Sequence, residues 1–161
     1  MTIDRAAHAL DLLRSRGQTL ATAESLTGGL IGATLTDVAG ASTAYRGGVV
    51  VYATDLKASL AGASTVTLAR VGPVDAATAA ELAAGVRQRC GSDWGLAVTG
   101  VAGPEPQDGH PVGQVFVAIA GAERAQDRVI ELALAGSRAE IRQATVAAAL
   151  ELLVEVLNTT T

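Results

Sequence analysis

The chain has 161 residues, 49% of them hydrophobic and 17% charged, with a net charge of −4 at neutral pH. That length suits one compact domain over residues 1–161. The balance of apolar and charged residues excludes a disordered chain, and the acidic net charge argues against a broad basic face for nucleic acid. Cys90 is the single cysteine, so no intrachain disulfide can form and no zinc-ligand spacing exists. A reducing, cytoplasmic setting and no bound metal are therefore expected. Met1 to Gly17 is interrupted by Asp4, Arg5, Asp11, Arg14 and Arg16 and does not read as a signal peptide. No run approaches the ~20 apolar residues of a membrane span.

The elements follow in chain order. Ile3, Ala6, Ala7, Leu10 and Leu13 recur at helical spacing, with Gly17 at the expected stop. Thr19 to Ala23 reads as a strand. The polar cluster Glu24-Ser25-Leu26-Thr27-Gly28-Gly29 breaks the pattern, and Leu30 to Val38 resumes it as a helix ended by Gly40. Gly47 to Tyr52 is a continuous apolar run, as expected of a strand covered on both faces. Thr54-Asp55 can cap a short helix through Leu60. Pro73 and Asp75 precede a helix over residues 76–89, and Gly95 to Thr99 is a buried strand feeding the glycine- and proline-rich stretch from Gly100 to Pro111. Gln114 to Ala120 and Asp127 to Leu134 read as strands, the second with two unlike faces. A last helix runs from Ser137 to Leu157.

Helices and strands interleave early, and two strands sit together late. That order predicts an α/β fold, a three-layer α/β/α sandwich with a mixed central sheet. Open α/β sheets hold ligands beyond the C-terminal ends of their strands. Three polar clusters, residues 24–29, 52–57 and 99–103, follow apparent strands and are expected to converge there.

Ser25 stands where a strand turns into a helix, and the first N–H groups of a helix favour negative charge in front of them. The cluster suits a developing oxyanion or a phosphate; a plain serine helix cap is the alternative. A serine needs a base to become a nucleophile. The two histidines, His8 and His110, fall on an amphipathic helix and in a solvated loop, without an obvious acidic partner. Of twelve basic residues, eleven are arginine and one is Lys57. Arginine does not deprotonate, whereas a desolvated lysine can. Lys57 is thus the candidate base, with Tyr52 to relay or orient a proton, against the alternative of a solvated lysine and a packed tyrosine. Thr99-Gly100-Val101-Ala102-Gly103 is neither a P-loop nor a dinucleotide fingerprint. Arg138 and Arg142 lie one turn apart and can share a face toward phosphate, or are simple solvent-facing charges.

Five segments together resemble the CinA C-terminal domain family. Thr22-Ala23-Glu24-Ser25-Leu26-Thr27-Gly28-Gly29 is similar to its TAES-x-TGG motif, and Gly47-Gly48 through Tyr52 to Lys57 to its GG-x-x-x-Y motif with a following lysine. Thr99 to Pro104 resembles its glycine loop, Pro111-Val112-Gly113 its PVG turn, and Gly136-Ser137-Arg138 its late arginine element. The resemblance runs in order along essentially the whole chain. It departs at Leu26, a position often held by cysteine, in the Ala44-Tyr45-Arg46 region and in the loop from Pro104 to His110.

The resemblance implies a stand-alone form of the domain, the chemistry of nicotinamide-nucleotide amidohydrolases, and assembly as a homodimer. The reaction implied is hydrolysis of nicotinamide mononucleotide to nicotinate mononucleotide and ammonia, with no cofactor. The family's catalytic group falls on Ser25, Tyr52 and Lys57, and its ligand-binding arginine on Arg138. Backbone N–H groups near Thr27, Gly28 and Gly29 are candidates for the oxyanion. Thr99, Gly100 and Gly103 are candidates for the nucleotide, and Tyr45 or Tyr52 for the cationic pyridinium ring. The alternative is a non-catalytic nucleotide-binding or competence-associated regulatory module.

Overall fold

A computed structural model describes residues 1–160. Five strands form one mixed sheet: β1 (Leu20–Glu24), β2 (Tyr45–Val50), β3 (Trp94–Gly100), β4 (Gln114–Ala120) and β5 (Arg128–Ala133), in the order β2-β1-β3-β4-β5. β1 runs parallel to both β2 and β3, while β4 is antiparallel to β3 and β5. The α/β sandwich expected from the order of elements is the fold observed.

Two layers of helix cover the sheet. On one face, α1 (Thr2–Ser15), α2 (Leu30–Thr36) and the long α6 (Arg138–Thr159) pack on Leu20, Trp94, Leu96, Val98, Val117 and Ile119. The other face carries the small residues Ala21, Ala23, Ala97, Ala118 and Ala120 beneath α5 (Ala76–Cys90). The difference sets the spacing. A Cβ on Gly95 would lie 2.0 Å from the carbonyl oxygen of Ala83, so α5 rests almost directly on the sheet backbone. Two short helices, α3 (Thr54–Ser59) and α4 (Thr65–Val71), complete the chain between β2 and α5.

Two features depart from the sequence expectations. β2 is an edge strand with alternating burial, not a strand covered on both faces. Its apolar run reads as buried because Val51, just beyond the strand, is fully enclosed, while Val50 remains 46% exposed. Helix α4 was not foreseen. Its cap is nonetheless written in the chain: the Ser64 side chain accepts from the N–H groups of Val66 and Thr67. Among the described residues, no helix is long and apolar enough to cross a membrane.

Candidate active site

The C-terminal ends of β1, β2 and β3 open into one cavity of about 170 Å³. Ser25 and Leu26 line it from β1, Tyr52, Thr54 and Lys57 from the β2–α3 connection, and Thr99 to Gly103 from β3. Arg138, at the start of α6, reaches the same wall. The three polar clusters therefore meet in space, and parallel pairing of β1 with its two neighbours is what brings them to one edge.

Successive residues of a strand point to opposite faces. That alternation separates Glu24 from Ser25. Ser25, 7% exposed, accepts a hydrogen bond from the Nζ of Lys57 at 3.0 Å. Lys57 projects from α3 into the protein and is 2% exposed. Its Nζ also donates to the carbonyl of Val51 at 2.8 Å and to that of Tyr52 at 3.3 Å. Burial pushes its pKa down to about 8. An amine with two N–H groups satisfies the two carbonyls and turns its lone pair to the serine hydroxyl, which then donates. The three partners thus suit both protonation states.

Glu24 faces the other way. Its Oε1 accepts from the Thr27 hydroxyl at 2.6 Å and from the N–H groups of Gly29 and Ile31 at 3.2 and 2.9 Å; its Oε2 accepts from Gly32 N–H at 3.0 Å. The carboxylate is 2% exposed. It occupies the N-terminus of α2, so the anion at that helix end is supplied by the chain itself. Gly28 and Gly29 make this possible by taking φ values of 58° and 104°, which fold the turn back over the strand end.

This arrangement narrows the set of candidate oxyanion donors. The N–H of Gly28 is held by the carbonyl of Ser25, that of Gly29 by Glu24, and the Thr27 side chain is enclosed. Among the described residues, the N–H groups of Leu26 and Thr27 have no acceptor. Both residues are buried; Leu26 lines the cavity, and Thr27 follows it in the turn.

The remaining candidates divide. Thr99, Gly100 and Gly103 line the cavity, with the Thr99 hydroxyl donating to the carbonyl of Pro73 at 2.7 Å. Tyr45 does not line it. Opposite Leu20 in the register, it shares the α2 face with Thr22 and Glu24, and its hydroxyl lies 2.6 Å from that of Thr22. Burial pushes its pKa up. Tyr52 does line the cavity, but its exposed hydroxyl accepts from Arg138 at 3.0 Å and bonds to neither Ser25 nor Lys57. It reaches the amine through its main-chain carbonyl. Arg138 also donates to the carbonyl of Gly103 at 2.6 Å, tying three cavity walls together.

Arg142 does not share the position of Arg138. It reaches the carbonyls of Leu26 and Thr27 at 2.8 and 3.2 Å, behind the serine turn. His8 is exposed; His110 is half-buried, with its Nδ1 2.7 Å from Gln114 Oε1, and lies outside the cavity lining.

Residues 3–157 match the CinA C-terminal domain. A CinA-like protein of Frankia casuarinae is 50% identical over 92% of this chain, and a putative competence-damage inducible protein of Bacillus velezensis is 43% identical over 90%. In each case the match covers 34% of the relative, so the chain spans about a third of the length of these curated relatives. Among solved structures, the competence/damage inducible protein CihA from Agrobacterium tumefaciens superposes with a TM-score of 0.91 at 36% identity, covering 96% of this chain and 94% of that one. A CinA superfamily protein from Klebsiella pneumoniae gives 0.94 at 30% identity, covering 99% of both chains.

Proposed function

The chain belongs to the CinA C-terminal domain family, and from that premise we propose that it is an amidohydrolase that deamidates nicotinamide mononucleotide. The observation that carries the reading is the 3.0 Å contact between the enclosed Lys57 amine and Ser25 at the floor of an open cavity. A nucleophile beside a base of lowered pKa is the arrangement that amide attack needs.

The geometry supports the following steps. Neutral Lys57 takes the Ser25 proton as the serine oxygen bonds to the carboxamide carbon. The N–H of Leu26, with that of Thr27, receives the oxygen that becomes negative; each such donor contributes roughly 3–4 kcal/mol in related sites. Lys57 then returns the proton to the leaving nitrogen, the C–N bond breaks, and ammonia departs. Water attacks the resulting ester, gives its proton to Lys57, and releases nicotinate mononucleotide as the serine regains its hydrogen. Val51 and Tyr52 hold the amine on line through their carbonyls. Every group in the sequence belongs to the chain, so no cofactor enters.

Arg138 and the backbone of Gly100 and Gly103 form the opposite wall and are assigned to the nucleotide, with the arginine fork on its phosphate. Tyr52, rather than Tyr45, offers a ring to the cationic pyridinium. The family resemblance further supports a homodimer in the cytoplasm. The names of several relatives point instead to competence, and a regulatory nucleotide-binding module is the second reading. Ammonia release from nicotinamide mononucleotide separates the two. Wild type is expected to release it and Ser25→Ala to bind the nucleotide without releasing any. No turnover by wild type, or full turnover by Ser25→Ala, overturns the assignment.

A further inference from the structure

We propose that Arg142 is a positioning residue that aims the oxyanion donors of the Ser25 turn, and is not a second phosphate ligand. The inference rests on the amidohydrolase reading above and deepens it. A trans peptide group sends its carbonyl and its N–H in opposite directions. The carbonyl of Leu26 and the N–H of Thr27 belong to one such group. Whatever holds that carbonyl fixes where the N–H points. Arg142 Nε holds it at 2.8 Å, across 116 positions of chain.

The neighbouring peptide is fixed locally. The carbonyl of Ser25 accepts from Gly28 N–H at 3.1 Å, which sets the direction of the Leu26 N–H. The two N–H groups left without acceptors are therefore each governed by a named partner of the carbonyl behind them. The second arm of the guanidinium, 3.2 Å from the carbonyl of Thr27, stops the turn from rocking about the first contact. Lysine ends in a single donor atom where arginine has a planar fork, so it cannot hold the two carbonyls from two nitrogens at a fixed separation. With its fork committed to these two carbonyls, Arg142 is placed behind the turn, whereas Arg138 faces the cavity.

The test uses Arg142→Lys and Arg142→Gln in the full chain, with circular dichroism and a thermal melt to establish folding. Three readouts follow. Steady-state ammonia release is measured with nicotinamide mononucleotide and with its dephosphorylated nucleoside. A misaimed donor is expected to lower kcat by about 10- to 100-fold on both, with KM within about twofold of wild type. A rise in KM confined to the phosphorylated substrate would make Arg142 a phosphate ligand and overturn the proposal, as would an unchanged kcat. Labelling of Ser25 by an aryl sulfonyl fluoride, followed by mass spectrometry, is expected to slow by about tenfold in both variants relative to wild type, since that reaction also passes through charge on an oxygen beside the serine. This arm needs no natural substrate. If wild type released no ammonia, the deamidase reading would fail while the labelling rates still decided the role of Arg142. Added guanidinium ion is expected to restore part of the labelling rate in Arg142→Gln. Equal labelling rates in wild type and both variants would overturn the positioning role.

Discussion

The two walls of the cavity are built to different standards. On the side of Ser25, the residues Glu24, Ser25, Leu26, Thr27 and Lys57 are all less than a tenth exposed, and the turn is gripped from the end of β1 by Glu24 and from α6 by Arg142. On the wall assigned to the nucleotide, Tyr52 is 61% exposed and Arg138 is exposed too, with a hydrogen bond joining their tips. The contrast teaches that the groups to which we assign proton transfer are enclosed and held, while those we assign to the ligand stand open to solvent. Changes on the first wall should therefore appear in kcat, and changes on the second in KM.

The largest break expected is Lys57→Arg. It keeps a cation but supplies no base, and kcat should fall by ~10³-fold with substrate binding retained, measured by single-turnover ammonia release and by titration of the nucleotide. The same residue sets a pH profile. As pH rises through about 8, Lys57 loses its proton and kcat/KM should climb to a plateau; a profile flat from pH 6 to 9 would remove it as the base. Linkage gives the matching sign for stability. The folded pKa lies below lysine's ordinary 10.5, so this group's contribution is fullest above that value, declines as pH falls toward about 8, and is flat below. Thermal melts of wild type and Lys57→Met across that window should diverge accordingly.

Glu24→Gln probes the lock from the other side. It removes the charge at the start of α2 and one acceptor from a set of four donors, which should cost about 1–3 kcal/mol of stability in chemical denaturation and lower kcat about tenfold. Arg138→Ala should raise KM about tenfold for nicotinamide mononucleotide, a loss of about 1.4 kcal/mol, and much less for the nucleoside. The smallest effect belongs to Tyr52→Phe, which loses the hydroxyl that Arg138 holds and keeps the ring. KM should shift about twofold with kcat unchanged; a large fall in kcat would restore the tyrosine hydroxyl to the proton path.

Much of the fold was legible because its elements announce themselves locally. Periodicity and caps marked α1, α5 and α6, and β4 falls on the residues expected. The convergence of three clusters was legible as well, because parallel strands put their C-terminal ends on one edge. What escaped was set by long-range placement. The run from Gly47 to Tyr52 carries the same letters at an edge as in a middle strand. Tyr45 and Tyr52 are alike as residue types, and only the register of β2 against β1 shows that the first joins Thr22 on the far face. Arg138 and Arg142 sit one turn apart, yet the shift along α6 takes one to the cavity rim and the other to carbonyls more than a hundred residues earlier in the chain. No local pattern contains that distance.

The carboxylate of Glu24 has one more consequence. A helix end left without a partner commonly recruits loose anions from the buffer. Here that seat, on the face turned away from the cavity, is filled by a tethered tenant adjacent in sequence to the serine. Free orthophosphate or sulfate should then compete with substrate only across the cavity, at the arginine, and a non-phosphorylated carboxamide should hydrolyse with almost no sensitivity to either ion.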